Sequence, residues 1–173
     1  MQQPDIAKSL QITGWMSALE LIWLAERAQR SSVIVEVGSY LGRSTRSLGD
    51  NTQGIVYAVD TWNGPLSLIG TKTDSFYSQF CDNVEDLLEK KRIVPCSPED
   101  KFLKKLEPDF VFIDGDHSYD AVKLDILTWK PRIKKGGILS GHDFGAESVT
   151  NAVLELLKEP KQVPETQIWY VNV

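Results

Sequence analysis

Two histidines and two cysteines are all this 173-residue chain offers of the side chains that most often hold transition metals. Cys81 and Cys96 form no CxxC-type spacing, which excludes a structural zinc site or a disulfide framework and suits two buried or half-buried thiols in a reducing compartment. No apolar run approaches the ~20 residues of a membrane span. The N-terminus MQQPDIAKSLQ lacks the apolar stretch of a secretion signal. Excess positive charge is missing too: 19 Lys and Arg against 24 Asp and Glu leave a net charge of −5, which argues against nucleic acid as the partner. There is no repeat, low-complexity tract or linker. The expectation is a cytoplasmic protein with neither a nucleic-acid nor a membrane partner.

What the chain does have is a rhythm of short apolar runs, each ending in glycine or a polar residue. These are SVIVEV (Ser32 to Val37), GIVYAVD (Gly54 to Asp60), RIVPC (Arg92 to Cys96), DFVFID (Asp109 to Asp114), GGILSG (Gly136 to Gly141) and QIWYVNV (Gln167 to Val173). Their Val and Ile content suits strands buried on both faces of a parallel sheet. Between them the helical period appears. Trp15, Leu19 and Ile22 mark a first helix; Phe76, Phe80, Val84 and Leu87 another; Val122, Ile126 and Trp129 a third, stopped by Pro131; Val149, Val153 and Leu156 a last, ending before Pro160. Alternation of this kind predicts an α/β fold: a Rossmann-like, doubly wound, mostly parallel sheet with helices on both faces and an antiparallel C-terminal strand. One domain spanning 1–173 is expected, with an N-terminal helical segment (1–31) and the Rossmann-like core (32–173).

In such sheets ligands bind beyond the carboxyl ends of the strands. That rule places Gly38, Asp60, Ser97, Asp114 and His142 along one edge. Both histidines lie there, in the clusters IDGDHSYD and GGILSGHDF.

The turn VEVGSYLGRST (Val35 to Thr45) narrows the ligand. A dinucleotide fingerprint would need glycine where Tyr40 and Arg43 stand, and a P-loop would need Gly-Lys-Ser/Thr where Arg43-Ser44-Thr45 stands. The E-x-G-x-x-x-G-x-S pattern of Glu36, Gly38, Gly42 and Ser44 resembles that of class I S-adenosylmethionine-dependent methyltransferases. VDTW, CSPED, IDGDHSYD and GGILSGHDF follow in that family's order from about Gly14 onward. The resemblance is to the small O-methyltransferases, catechol-type and bacterial sugar or natural-product enzymes.

The resemblance implies S-adenosylmethionine as cofactor. The Gly38-Ser39-Tyr40 backbone would line its methionine part, within the turn completed by Glu36 and Gly42. Ser44 would bond its carboxylate, Asp60 its ribose hydroxyls, and Ser97, beside Pro98, would lie against adenine. Trp62 and Asp114 complete the pocket. The resemblance also implies a divalent metal, magnesium or manganese, at Asp114, His142 and Asp143, where the histidine tilts the donor set toward manganese, iron or zinc. His117 is the expected general base, a neutral imidazole at cellular pH by its reference pKa of ~6.5, with Asp116 its rival. Each acid also has a capping alternative: Asp60 in a turn, Asp114 and Asp143 at helix starts, with Ser97 an N-cap before PED. His117 could equally be an exposed first-turn residue, and Tyr119 belongs with packing or capping. Thr61 to Ser75, with Trp62, Leu66 and Ile69, is a candidate substrate wall, as are Trp15, Met16 and the Phe144 region.

The expected function is transfer of a methyl group to a hydroxyl of a sugar or small natural product, metal-assisted. Two other readings share these residues: a metal-independent small-molecule methyltransferase, and a non-catalytic cofactor-binding protein of the same fold. The expected partner is the hydroxyl acceptor, with a homodimer left open.

Overall fold

The computed structural model describes residues 2–64 and 75–173. Its elements are α1 (Ala18–Ala28), β1 (Val33–Val37), α2 (Arg43–Asn51), β2 (Ile55–Val59), α3 (Phe76–Glu89), β3 (Ile93–Cys96), β4 (Phe110–Ile113), α4 (Tyr119–Trp129), β5 (Ile138–Gly141), α5 (Glu147–Leu156), β6 (Lys161–Gln162) and β7 (Trp169–Asn172). They form a seven-stranded sheet of order β3-β2-β1-β4-β5-β7-β6. The first five strands are parallel, and β7 runs antiparallel to both β5 and β6. This is the doubly wound fold the alternation predicts. β6 escapes a sequence reading because Lys161–Gln162 is short, polar and exposed.

The strand runs read as continuously apolar because successive residues serve two cores. Ile34, Phe110 and Phe112 face a cluster with Leu21 and Leu24 of α1, Leu48 of α2 and Phe80 and Val84 of α3. Val35, Val111, Ile113 and Leu139 face the other side, with Val122, Ile126 and Trp129 of α4 and Val149 and Val153 of α5. Period-two alternation in a strand puts neighbours on opposite faces, so a strand covered on both sides has no polar register to show. Each fully buried Leu, Ile, Val or Phe contributes roughly 1.5–3 kcal/mol relative to exposure.

Three helix starts carry their caps. Ser17 and Glu20 form a capping box on α1, Ser75 caps α3 and Ser118 caps α4. Pro131 falls in a 3-10 turn (Lys130–Arg132) that ends α4. Among the described residues, no helix is long and apolar enough to cross a membrane.

The strand order reverses between β1 and β4. Gly38 follows β1 and Asp114 follows β4 at this switch point, and their backbones pass close together. A Cβ on Gly38, whose φ is +88°, would lie 2.1 Å from the Asp114 carbonyl oxygen. Only glycine fits there on both conformational and steric grounds.

Candidate active site

The loop from Gly38 to Gly42 is braced from below and from the side. Below it, Glu36 is fully buried and accepts hydrogen bonds from the hydroxyls of Ser39 (2.7 Å) and Thr45. Burial pushes the Glu36 carboxyl up to about 7, against the hydroxyls of Ser44, Thr45 and Ser39, and Asp114 adds to the rise. Its Oε1 is buried without a partner among the described residues. Glu36 and Ser44, both expected at the cofactor, are 0% and 5% exposed, and the Ser44 hydroxyl turns toward Glu36. From the side, Asp60 Oδ2 accepts the backbone N–H of Ser39 and of Tyr40, each at 2.8 Å, and Oδ1 accepts that of Trp62 at 2.6 Å. The acid that ends β2 therefore fixes the glycine turn while it sits at the edge of the cradle. Tyr40 and Trp62 both adopt the left-handed region, with φ of 47° and 50°.

An aromatic rim surrounds this turn. Trp15, 76% exposed, packs on Tyr40 (5.3 Å between centroids), and Tyr40 on Phe76 (5.4 Å). Trp62 meets Tyr77 and Phe80 at 5.0 and 5.2 Å. Met16 is buried and its carbonyl accepts from Arg43 Nε. Leu66 and Ile69 lie outside the described residues. Ser97 is exposed beyond β3 in a turn where Asp100 accepts its N–H at 2.9 Å and its Oγ accepts from Glu99 at 3.4 Å.

At the ends of β4 and β5 the carboxylates and both imidazoles converge. Asp114, His117 and Asp143 each bring one ligand-type atom within 4.8 Å of the others. His117 Nε2 is 3.0 Å from Asp143 Oδ2 and 3.7 Å from Asp114 Oδ1. Donors about 2.1 Å from a shared divalent ion in octahedral geometry lie roughly 3.0–4.2 Å apart, and both His117 distances fall in that range. Two carboxylate oxygens and one imidazole nitrogen suit magnesium less well than manganese or another first-row ion.

The expected ligand set was Asp114, His142 and Asp143; the structure brings His117 to the same two carboxylates. His142 stands behind it, 9% exposed, with Nδ1 3.2 Å from Asp143 Oδ2 and 3.7 Å from Asp114 Oδ1. Asp143, two residues past the end of β5, takes a left-handed φ of 57°.

Glu20 is the residue that sequence reasoning missed. Its Oε1 accepts from His142 Nε2 (3.0 Å) and from the Gln167 N–H (2.9 Å), while Oε2 accepts from the N–H and hydroxyl of Ser17. The S-x-x-E spacing from Ser17 to Glu20 was a readable capping signal, but nothing local announced a partner 122 residues away.

The charges hold one another. Burial alone would lower His142, but Asp143, Glu20 and Asp114 raise it to about 10. Burial alone would raise Glu20, but His142, Gln167 and Ser17 bring it to about 2. Asp114 is raised chiefly by burial, with Asp143 adding and the histidines opposing. Asp143 is lowered, first by its hydrogen bond with His142. His117 is raised, chiefly by its bond with Asp114, against burial and with the Asp143 and Asp114 charges adding. Asp116 is exposed and caps a turn, its Oδ1 accepting the Ser118 N–H at 2.8 Å. Tyr119 ties α4 to Glu155 of α5 and is packing, as expected. Phe144 is half-buried and donates its N–H to the Gln167 carbonyl at 2.9 Å.

A 3-2-1-4-5-7-6 sheet, a glycine turn at its switch point and an acid ending β2 define a class I S-adenosylmethionine-dependent methyltransferase. A Methyltransferase domain family model matches residues 35–144, more than half of the chain, and the chain belongs to that family. Among solved structures it is similar to a methyltransferase from Podospora anserina bound to S-adenosylhomocysteine, at 14% identity and a TM-score of 0.69, over 90% of this chain and 78% of that one. An O-methyltransferase from Bacillus cereus, also with S-adenosylhomocysteine, matches at 14% identity and 0.67, over 97% and 90%. An O-methyltransferase of tomaymycin synthesis from Streptomyces achromogenes, bound to S-adenosylmethionine, matches at 11% identity and 0.64, over 92% and 82%. At these identities the likeness is one of fold.

Proposed function

We propose that this methyltransferase methylates a hydroxyl of a sugar or small natural product, with a divalent cation held by Asp114, His117 and Asp143. The observation that carries this reading is contiguity: the triad begins at Asp114, whose backbone abuts Gly38 of the cofactor turn. S-adenosylmethionine would lie along the Gly38–Gly42 turn, with its ribose at Asp60 and its adenine toward Ser97 and Trp62. The Gly38 and Gly42 cradle and the carboxylate of Asp60 at its rim fit such a group.

With S-adenosylmethionine bound, a lone pair of the acceptor oxygen would attack its sulfonium methyl carbon as the carbon–sulfur bond breaks, the electron pair of that bond staying on sulfur. Most of the rate gain comes from holding the two in line. A divalent ion held by Asp114, His117 and Asp143 would lower the pKa of a coordinated hydroxyl. With His117 engaged as a ligand, we assign the acceptor's proton to the exposed carboxylate of Asp116. Trp15 and Tyr40 form the wall against which the acceptor rests. A second reading draws on His142, whose charge between Glu20, Asp143 and Asp114 supplies positive potential without an ion. It makes the enzyme metal-independent.

Methyl transfer from labelled S-adenosylmethionine to a panel of hydroxylated sugars and phenols, with manganese or with a chelator, tests both. The proposal expects turnover that the chelator abolishes. Undiminished turnover in the chelator contradicts the cation and favours the second reading. In the same assay Asp116→Ala is expected to lower kcat by roughly 10²–10⁴-fold with metal affinity unchanged.

A further inference from the structure

We propose that Glu20 is a positioning residue of the active site: it clamps His142 so that Nδ1, and not Nε2, is presented to the Asp114 and Asp143 carboxylates, adding a second imidazole to the donor set. The inference rests on the reading of this edge as a cation site. Glu20 is 4% exposed and lies on α1, outside the strand ends where the other site residues gather. Both of its oxygens are fully used, Oε1 by His142 and Gln167, Oε2 by the two donors of Ser17. A carboxylate only accepts, so the ring nitrogen that meets it carries a hydrogen. Nε2–H is thus assigned to Glu20; Nδ1 faces Asp143 at 3.2 Å and Asp114 at 3.7 Å, where by the same rule it carries a hydrogen until a cation bound by those carboxylates takes its place. A second carboxylate that fixes the ring and tautomer of a histidine facing a metal site is the usual way such donors are held.

The clamp also joins three distant segments at one point. At Glu20 the start of α1, the residue just past β5 and the segment leading into β7 meet. The N-terminal helix, whose start lies three residues past the exposed Trp15, is therefore keyed to the cation site. No other acid among the described residues contacts His142 Nε2.

Glu20→Gln is the discriminating variant. An amide has one acceptor oxygen, which cannot serve Ser17 as well as His142 and Gln167, and its NH₂ would face a donor. Ser17→Ala is the control, because it removes the helix cap without touching His142. With only two histidines, imidazole ¹⁵N signals are readily assigned. The wild type should show His142 with a fixed hydrogen on Nε2, and Glu20→Gln should lose that signature. By calorimetry, Mn²⁺ affinity should fall about 10–100-fold in Glu20→Gln, with S-adenosylmethionine affinity within about twofold. Ser17→Ala should keep the wild-type signals and Mn²⁺ affinity. Wild-type signals and affinity in a folded Glu20→Gln, or equal losses in Ser17→Ala, overturn the proposal. A wild type that takes up no Mn²⁺ overturns the cation reading instead. The ring signals then still decide the clamp, which a hydrogen on Nδ1 alone would refute.

Discussion

Asp109 and Asp60 make the same local bond at opposite ends of the sheet. Asp109 Oδ2 accepts the consecutive N–H groups of Ser32 and Val33 at 2.8 Å each, and Asp60 Oδ2 accepts those of Ser39 and Tyr40 at 2.8 Å each. At the first end Lys134 supplies a counter-charge 2.8 Å from Asp109 Oδ1. Burial would raise Asp109, but Lys134 and the two N–H groups bring it below the ordinary carboxylate range. At the second end no lysine or arginine among the described residues pairs with Asp60, Asp114 or Asp143; the positive charge that reaches Asp114 and Asp143 there comes from two histidines. The difference separates a clamp from a site. A carboxylate whose charge is already matched holds strands together, whereas carboxylates left to share imidazoles at a switch point are poised to take a cation or a cationic sulfonium.

The largest effect that would sharpen this contrast belongs to Gly38→Ala. Its φ of +88° and the 2.1 Å approach to Asp114 leave no room for a methyl group. A loss on the order of 4 kcal/mol in urea denaturation is expected, together with loss of cofactor binding.

Next in size is Glu20→Ala, which strands a buried imidazolium and should cost about 3 kcal/mol. Its pH dependence is specific. His142 is raised from 6.5 to about 10, so its share of stability is complete below pH ~6.5 and is lost as pH rises through about 10. Glu20 is lowered from 4.5 to about 2, so its share is complete above pH ~4.5 and is lost as pH falls through about 2. The stability difference between wild type and variant should therefore peak between about pH 4.5 and 6.5, measured by denaturation across that range.

The aspartate pair comes third. Asp60→Ala should weaken S-adenosylmethionine binding about 10–100-fold by calorimetry, and Asp109→Ala should leave it unchanged while costing roughly 2 kcal/mol of stability. If Asp109→Ala weakened the cofactor as much as Asp60→Ala, the two ends would not be distinct. Smallest is Lys134→Met, a half-exposed partner whose loss should cost about 0.5 kcal/mol in the same denaturation series.

The edge itself was legible in the sequence, because strand ends are marked where Val and Ile give way to Gly, Asp and His, and the winding rule then aligns them. The two-faced core was legible for the same reason. That both histidines would meet the same two carboxylates was not, because His117 and His142 lie 25 residues apart and only the pairing of β4 with β5 brings them together. Glu20 was hidden because its local role, the N3 position of a capping box, fully accounts for it in the sequence; only the fold brings β5 and the Gln167 N–H to its other oxygen. Glu36 carried the opposite ambiguity. Its motif pointed to the cofactor, while its burial makes it a brace beneath the turn.

The central claim is that cofactor and cation share one edge, the methyl group beside the Asp114–His117–Asp143 triad. The most direct measurement is the NMR line width of ¹³C-methyl S-adenosylmethionine bound to the protein as Mn²⁺ is added. Strong paramagnetic broadening in the wild type, relieved in Asp143→Ala with the cofactor still bound, is the predicted result. A methyl resonance that stays sharp while both cofactor and Mn²⁺ are bound would contradict the account.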